Sequence, residues 1–269
     1  MLGLVLLGAC GVDAVGTAPI PETQSLPDGG LSDRDGAGTD AGSCRSIVTA
    51  NLAPGSLIAP KTTKAPTVDG DLSDWDTCFV SLDKNNAQLL RDLGGGGGAY
   101  VSGELSVVHD DTKLWVAARV KGIAPLGDPN ATLAHQNDSL EIYFDGDGTT
   151  TQAYAADTVQ IVVDYLGRAQ SWRNGPQVEL PELKAAARVA PDGSTYTIEV
   201  EVTPASFGRT SFASTMGFDF GFNNGSGTNQ LTQVVWFQKC RQSSGCGCTN
   251  GGDAPYCDPR QFGAVTLAP

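Results

Sequence analysis

Apolar and polar residues alternate with a period of two through much of this chain. In the stretch 137–148, NDSLEIYFDGDG, Leu140, Ile142 and Phe144 share one parity while Ser139, Glu141, Tyr143 and Asp145 share the other. Side chains of a strand point to its two faces in turn, so the first set predicts a core face and the second an outward, wet face. The same alternation sets Val159, Ile161 and Val163 against Gln160, Val162 and Asp164, and Ile198, Val200 and Val202 against Glu199 and Glu201. Phe218, Phe220 and Phe222 continue it. Residues 104–120, ELSVVHDDTKLWVAARV, read as a hairpin turning at Asp110–Lys113, with Leu105, Val107, Leu114, Val116, Ala118 and Val120 inward and Trp115 and Arg119 outward. At least six such strands predict an all-β fold, an antiparallel two-sheet β-sandwich of jelly-roll type. In Ala65–Asp76, APTVDGDLSDWD, an Asp-Gly turn precedes Leu72 and Trp75, and Trp75 is expected to plug one end of the core.

The alternation begins only after residue 44. Residues 11–43 lack aromatics and any apolar period, and such Gly-, Asp- and Pro-rich sequence cannot bury enough surface to offset the entropy of ordering, so they predict a disordered tether. The domain boundaries expected are therefore 1–10 for a signal segment, 11–43 for the linker and 44–269 for the sandwich. Within the sandwich, GGGGG at 94–98 predicts a loop, and the cysteine-rich segment 240–257 interrupts the strand pattern.

Composition agrees with this class: 34 Gly and 15 Pro favour turns and short strands. A net charge of -13 repels phosphate backbones and anionic lipid, which argues against nucleic acid as a partner. The opening MLGLVLLGAC resembles the apolar region and lipobox of bacterial lipoproteins, here Leu7-Gly8-Ala9-Cys10, although no Lys or Arg precedes it. That resemblance implies lipidation at Cys10 and an exported protein, anchored to a membrane by lipid alone and facing the periplasm or cell surface. Setting Cys10 aside leaves six cysteines: Cys44, Cys78, Cys240, Cys246, Cys248 and Cys257. An even set in an exported chain predicts disulfides rather than zinc, since no CxxC spacing or nearby His occurs.

Candidate chemistry centres on carboxylates. Asp145-Gly146-Asp147-Gly148 resembles part of a calcium loop, but the closing Glu of an EF-hand would fall on Ala156. A looser structural calcium site drawing on Asp69, Asp71, Asp110, Asp111 or Asp145 fits a hard cation that accepts irregular oxygen sets. Glycoside hydrolysis needs two carboxyls flanking the bond, and nothing in the sequence places a partner opposite Glu141. With His109 and His135 the only histidines, and neither GxSxG nor HExxH present, the chain reads as non-catalytic. A polar strand face with aromatics nearby suits sugars, whose C–H patches stack on rings and whose hydroxyls pair with carboxylates and amides.

The ordered series APTVDGDLSDWD, SVVHDDTKLWVAARV, NDSLEIYFDGDG, VQIVVDY, YTIEVEV, GFDFGFNN and DPRQFGAVTL resembles the family 9 carbohydrate-binding modules attached to xylanases, over roughly residues 65–269. The resemblance implies a β-sandwich that binds poly- or oligosaccharide between two tryptophans and carries structural calcium, with Asp69, Asp71 and Asp145 as the metal candidates here. Glu141 matches the family's sugar-binding glutamate, and Asp164 falls where a polar amide is usual. His135 and Tyr256 stand where the clamping tryptophans would be, and Val162 replaces an arginine; Trp172 offers a further ring from a neighbouring segment. Two other readings compete with sugar binding. One is a structural or adhesive lipoprotein whose site has degenerated. The other is a haem-binding sandwich using Met216 with His109 or His135.

Overall fold

The structure, a computed structural model, describes residues 54–93, 97–149, 151, 154–174, 176–180, 182–238 and 258–269. Cys10, the signal segment, the linker, Tyr256 and the cysteines other than Cys78 lie outside the described residues. Thirteen strands are found among those described: β1 Ser56–Ala59, β2 Val80–Leu82, β3 Leu89–Asp92, β4 Ser102–His109, β5 Leu114–Lys121, β6 Ser139–Asp145, β7 Thr158–Asp164, β8 Ala169–Arg173, β9 Lys184–Val189, β10 Thr195–Val202, β11 Thr215–Gly225, β12 Gln230–Val235 and β13 Gly263–Leu267.

They form the two sheets of a β-sandwich. Five strands run β2-β4-β5-β10-β9, and eight are arranged as β1-β13-β11-β6-β7-β8 with β12 bridging β11 and β3. The long β11 pairs β6 along one side and divides the other between two partners, β13 through Thr215–Phe218 and β12 through Gly221–Gly225. Pairing is antiparallel except for β1 on β13.

Between the sheets lies the core that the alternation predicts. Leu140, Ile142, Phe144, Val159, Ile161, Val163, Phe218, Phe220 and Phe222 from the larger sheet meet Leu105, Val107, Leu114, Val116, Ala118, Val120, Ile198, Val200 and Val202 from the smaller one. Phe144 packs on Phe218 at 5.2 Å between centroids, and Phe220 stacks on Trp236 at 5.6 Å. Each such buried side chain contributes roughly 1.5–3 kcal/mol, so these two layers dominate the stability of the fold.

Trp75 departs from its expected place. Its ring lies outside the main core, in a second cluster with Leu72, Val108, Trp115 and Ala117 on the outer face of the five-stranded sheet. The physical reason is Glu199, whose carboxylate accepts the indole N–H of Trp75 at 2.6 Å and the backbone N–H groups of Asp69 and Gly70 at 2.9 and 2.6 Å. Gly70 adopts φ +84, and a Cβ there would meet the Ala187 carbonyl carbon at 2.9 Å, so the Asp-Gly turn lets the loop lie flat on the sheet. Outward-facing positions are thus not all wet. Glu199 and Trp115 are fully buried beneath this loop.

Candidate functional site

The outer face of the eight-stranded sheet carries the polar residues singled out around Glu141. Strand pairing puts Asp164, Ser139, Asn223, Gln233 and Arg91 in one row across β7, β6, β11, β12 and β3. The adjacent row holds Gln170, Val162, Glu141 and Gly221, and the next holds Trp172, Gln160, Tyr143 and Asp219. All have the parity opposite to the core residues, as period-two geometry requires.

Glu141 is the centre of a hydrogen-bond network. One carboxylate oxygen accepts from Gln160 Nε2; the other accepts from Gln233 Nε2 at 2.7 Å and from Asn223 Nδ2 at 3.1 Å. Asn223 also donates to Ser139 Oγ at 3.0 Å, and Gln230 donates to Asn223 Oδ1 at 2.7 Å. Arg91 Nη1 donates to Gln233 Oε1 at 2.8 Å. Gly221 lies opposite Glu141 in register, and a Cβ there would come within 2.6 Å of the Val234 carbonyl and 3.5 Å of Gln233 Nε2. A larger residue would crowd the path by which Gln233 reaches the carboxylate.

The expected wet setting of Glu141 is corrected by this geometry. Its side chain points away from the core, as the alternation requires, yet it is only 4 % exposed. Alternation fixes the face on which a side chain lies, while the neighbours that cover it come from strands distant in sequence. Tyr143 is fully buried on the same face, 5.6 Å from Phe262 between centroids, and burial first and the Glu141 charge second push its phenol well above the usual range.

The remaining sugar candidates are placed as follows. Trp172 is half-buried and directly opposite Gln160 in the β7–β8 ladder, so its ring borders the network. His135 is half-buried in the 3-10 turn Ala134–Gln136. That turn is anchored on both sides, by Ala134 N–H to Gln170 Oε1 at 2.8 Å and by Asn137 Nδ2 to Asp164 Oδ2 at 3.0 Å. Next to it, Asp138 accepts the N–H groups of Ile123 and Gly225, and burial raises its pKa to about 7. Asp164, expected as a ligand contact, is fully buried and already accepts from Asn137, the backbone of Leu166 and Arg168, and Arg168 Nε. It shapes the β7–β8 turn and holds the His135 segment.

The expected metal set is not assembled as such. Asp69 and Asp71 belong to the loop over the five-stranded sheet, where Asp69 accepts from the Asp71 N–H and Asp71 pairs with Arg188 at 2.8 Å. Asp145 ends β6 in the other sheet. There its carboxylate joins Asp147 and Asp157, one oxygen of each lying within 4.8 Å of the others, the one such group of three among the described residues. Burial first, then the charges of Asp147 and Asp157, raise the pKa of Asp145 to about 6. Arg209 approaches Asp157 at 3.2 Å and Asp147 at 3.9 Å, offsetting part of this repulsion. Three hard oxygen donors this close, with Asp145 under repulsion from the other two, suit a calcium ion by donor chemistry.

For the haem alternative, both ring nitrogens of His109 face backbone carbonyls, Asp110 at 2.9 Å and Ala268 at 2.8 Å, while Met216 is sealed in the main core. Neither is available as an axial ligand in this fold.

Gln160, Asn223, Gln233 and Arg91 are the members of the site that the sequence did not single out as ligands. Alternation placed Gln160 on the outward face, but amides carry no motif, and Arg91 meets Gln233 across 142 residues of chain.

Residues 75–269 match the family described as carbohydrate family 9 binding domain-like. A curated relative, endo-1,4-beta-xylanase C of Paenibacillus barcinonensis, is 28 % identical over 173 residues, which are 64 % of this chain and 14 % of the relative. The chain therefore corresponds to a small part of that enzyme. Two solved structures of a carbohydrate binding module family 9 from Caldicellulosiruptor kristjanssonii, one in complex with glucose and one with cellotriose, superpose with a TM-score of 0.57 at 16 % identity. Each covers 79 % of this chain, and 95 % and 93 % of the respective module. At that identity the likeness shows the fold.

Proposed function

From the premise that this chain belongs to the carbohydrate family 9 binding domain-like family, we propose that it binds oligosaccharide without catalysing its breakdown, on the outer face of the eight-stranded sheet. The observation that carries this reading is the Glu141 network, in which a carboxylate and three amide side chains hold one another on the face opposite the core. Trp172 beside Gln160 provides a ring for stacking, and His135 lies on the neighbouring turn. Glucose and cellotriose, seen with the structural relatives, and xylan, through the xylanase relative, are the first ligands to try. Calorimetric titration of the full chain with cellotriose and xylotriose is expected to give saturable binding to at least one. Absence of binding to these and to soluble xylan would overturn the reading.

A second reading, a structural or adhesive domain with a degenerate site, draws support from the low exposure of Glu141. It predicts no glycan binding at all, so the same titration separates the two.

The triad Asp145, Asp147 and Asp157 is the proposed seat of a structural calcium ion, replacing the set that includes Asp69 and Asp71. Calcium is expected to raise the melting temperature of chelator-treated protein, and Asp145→Asn to remove that increment; an equal rise in the variant would dismiss the site. Attachment through a lipidated Cys10 on an exported chain, with the remaining six cysteines paired as disulfides, is part of the same proposal, and the even number of those cysteines supports it.

A further inference from the structure

We propose that Gln160 is the member of this network that meets the sugar, and that Glu141 stands behind it as a positioning residue; this rests on the reading of the outer face as a sugar site. Glu141 is 4 % exposed and three amide donors converge on it, so a hydroxyl arriving from solvent meets other groups first. Two of those three amides are spent at both ends. Asn223 takes Gln230 Nε2 on its oxygen and gives its nitrogen to Ser139 and Glu141, while Gln233 takes Arg91 Nη1 on its oxygen and gives its nitrogen to Glu141. Both are fully buried. Gln160 differs on each count. It is half-buried, and its nitrogen serves Glu141 alone. Its amide oxygen has no partner among the described residues and is not one of the buried atoms left unpaired, so that oxygen is open to solvent.

Register explains why the contact falls to this position. Val162, fully buried, is the residue directly opposite Glu141 on β7, so the polar partner from that strand is the diagonal one, Gln160. The reversed amide would set its oxygen against the carboxylate; the anion therefore draws the nitrogen inward and leaves the oxygen outward. Donation to a carboxylate also polarises the amide and strengthens its oxygen as an acceptor, which is how a glutamate out of the ligand's reach acts on it. A primary amide carries two N–H donors and an oxygen with two lone pairs, and Glu141 takes one donor. What remains, an acceptor and a donor on one planar group, fits two neighbouring hydroxyls of a sugar ring, one donating to the oxygen and the other accepting the N–H. Trp172 is the cross-strand neighbour of Gln160 on β8 and shares its face, so a sugar stacked on the indole has its edge beside the amide.

The test is calorimetric titration of the full chain, Gln160→Met and Trp172→Leu with the trisaccharide that the chain binds, cellotriose or xylotriose, and with monodeoxy forms of that sugar, alongside thermal melts. Gln160→Met keeps the length of the side chain and removes its amide. It is expected to weaken binding at least tenfold and to erase the discrimination that the unmutated chain shows against two neighbouring deoxy positions. Its melting temperature should change little, because Gln233 and Asn223 still hold Glu141. Trp172→Leu is expected to weaken all the sugars by a similar factor and to leave that discrimination in place. Gln160→Met binding as tightly as the unmutated chain, with the same ranking of deoxy sugars, overturns the inference while leaving the sugar-binding reading intact. Should the variant melt early, the panel on the unmutated chain decides, and equal affinity for every deoxy sugar overturns the inference as well. Failure of the unmutated chain to bind cellotriose, xylotriose or soluble xylan overturns both.

Discussion

Glu141→Ala is expected to destabilise the fold by about 2–4 kcal/mol and to reduce sugar affinity at least tenfold, because a buried donor left without its acceptor costs roughly 1–3 kcal/mol. Three amide donors converge on this carboxylate from β7, β11 and β12, and its removal leaves them facing an apolar methyl group. Their costs do not add in full, since Asn223 keeps its bond to Ser139 and Gln160 is half-buried and can turn to water. Binding falls for a second reason. Without the anion, the Gln233 amide that bridges Glu141 and Arg91 is no longer held in one orientation, and the polar face proposed to meet the sugar is disturbed. Chemical denaturation and calorimetric titration of the same preparation measure the two losses together. Unchanged stability in the variant would mean that the network is not closed in solution, and the site would have to be drawn differently.

On the opposite side of the sandwich, Glu199→Ala should act on stability alone. Its fully buried carboxylate collects the indole N–H of Trp75 and two backbone N–H groups, at 2.6 to 2.9 Å, and these three bonds fasten the loop that covers Trp115 and Val108. Loss of the acceptor orphans three donors at once. The loop can answer by lifting into water, which satisfies the donors but exposes Trp75 and Leu72, so the net cost settles at about 2–4 kcal/mol rather than at the sum of the bonds. The larger sheet does not take part, and sugar affinity should stay within about twofold, a difference of roughly 0.4 kcal/mol. Denaturant titration, with Trp75 as a fluorescence reporter of loop release, checks the first statement. A parallel loss of binding would show that the two outer faces are coupled.

These two glutamates show where sequence reading succeeds and where it stops. Alternation in LEIYF, VQIVV and TIEVEV assigned the correct face to Leu140, Ile142, Phe144, Ile161 and Val200, and the hairpin of β4 and β5 turns at Asp110–Lys113 as the pattern predicts. The fold was legible because burial of one face against a single core leaves a local, period-two signature. Short strands such as β1, β3 and β13 were not resolved by that signature, because two or three alternations are too few to stand out. Nor was the covering of the outer faces. Glu141 and Glu199 both carry the parity of solvent positions, yet each is buried by partners distant in the chain: Gln233 is 92 residues from Glu141, and Trp75 is 124 residues from Glu199. The acidic triad shows the same limit, for Asp145 and Asp147 are visible as a DGD turn while Asp157 arrives from the far end of the loop. Register across five strands, not any local motif, brings Arg91 to the row of Asn223 and Gln233.

Where the sugar sits can be read from nuclear magnetic resonance of the full chain titrated with cellotriose, following the side-chain N–H signals of Gln160, Gln233 and Arg91 beside the backbone amides. Perturbations centred on β6, β7, β11 and β12, with the side-chain amides of Gln160 and Gln233 among the signals that shift, are the result this account predicts. Saturable binding whose shifts fall instead on β5, β9 and β10, leaving those three side chains untouched, would contradict it.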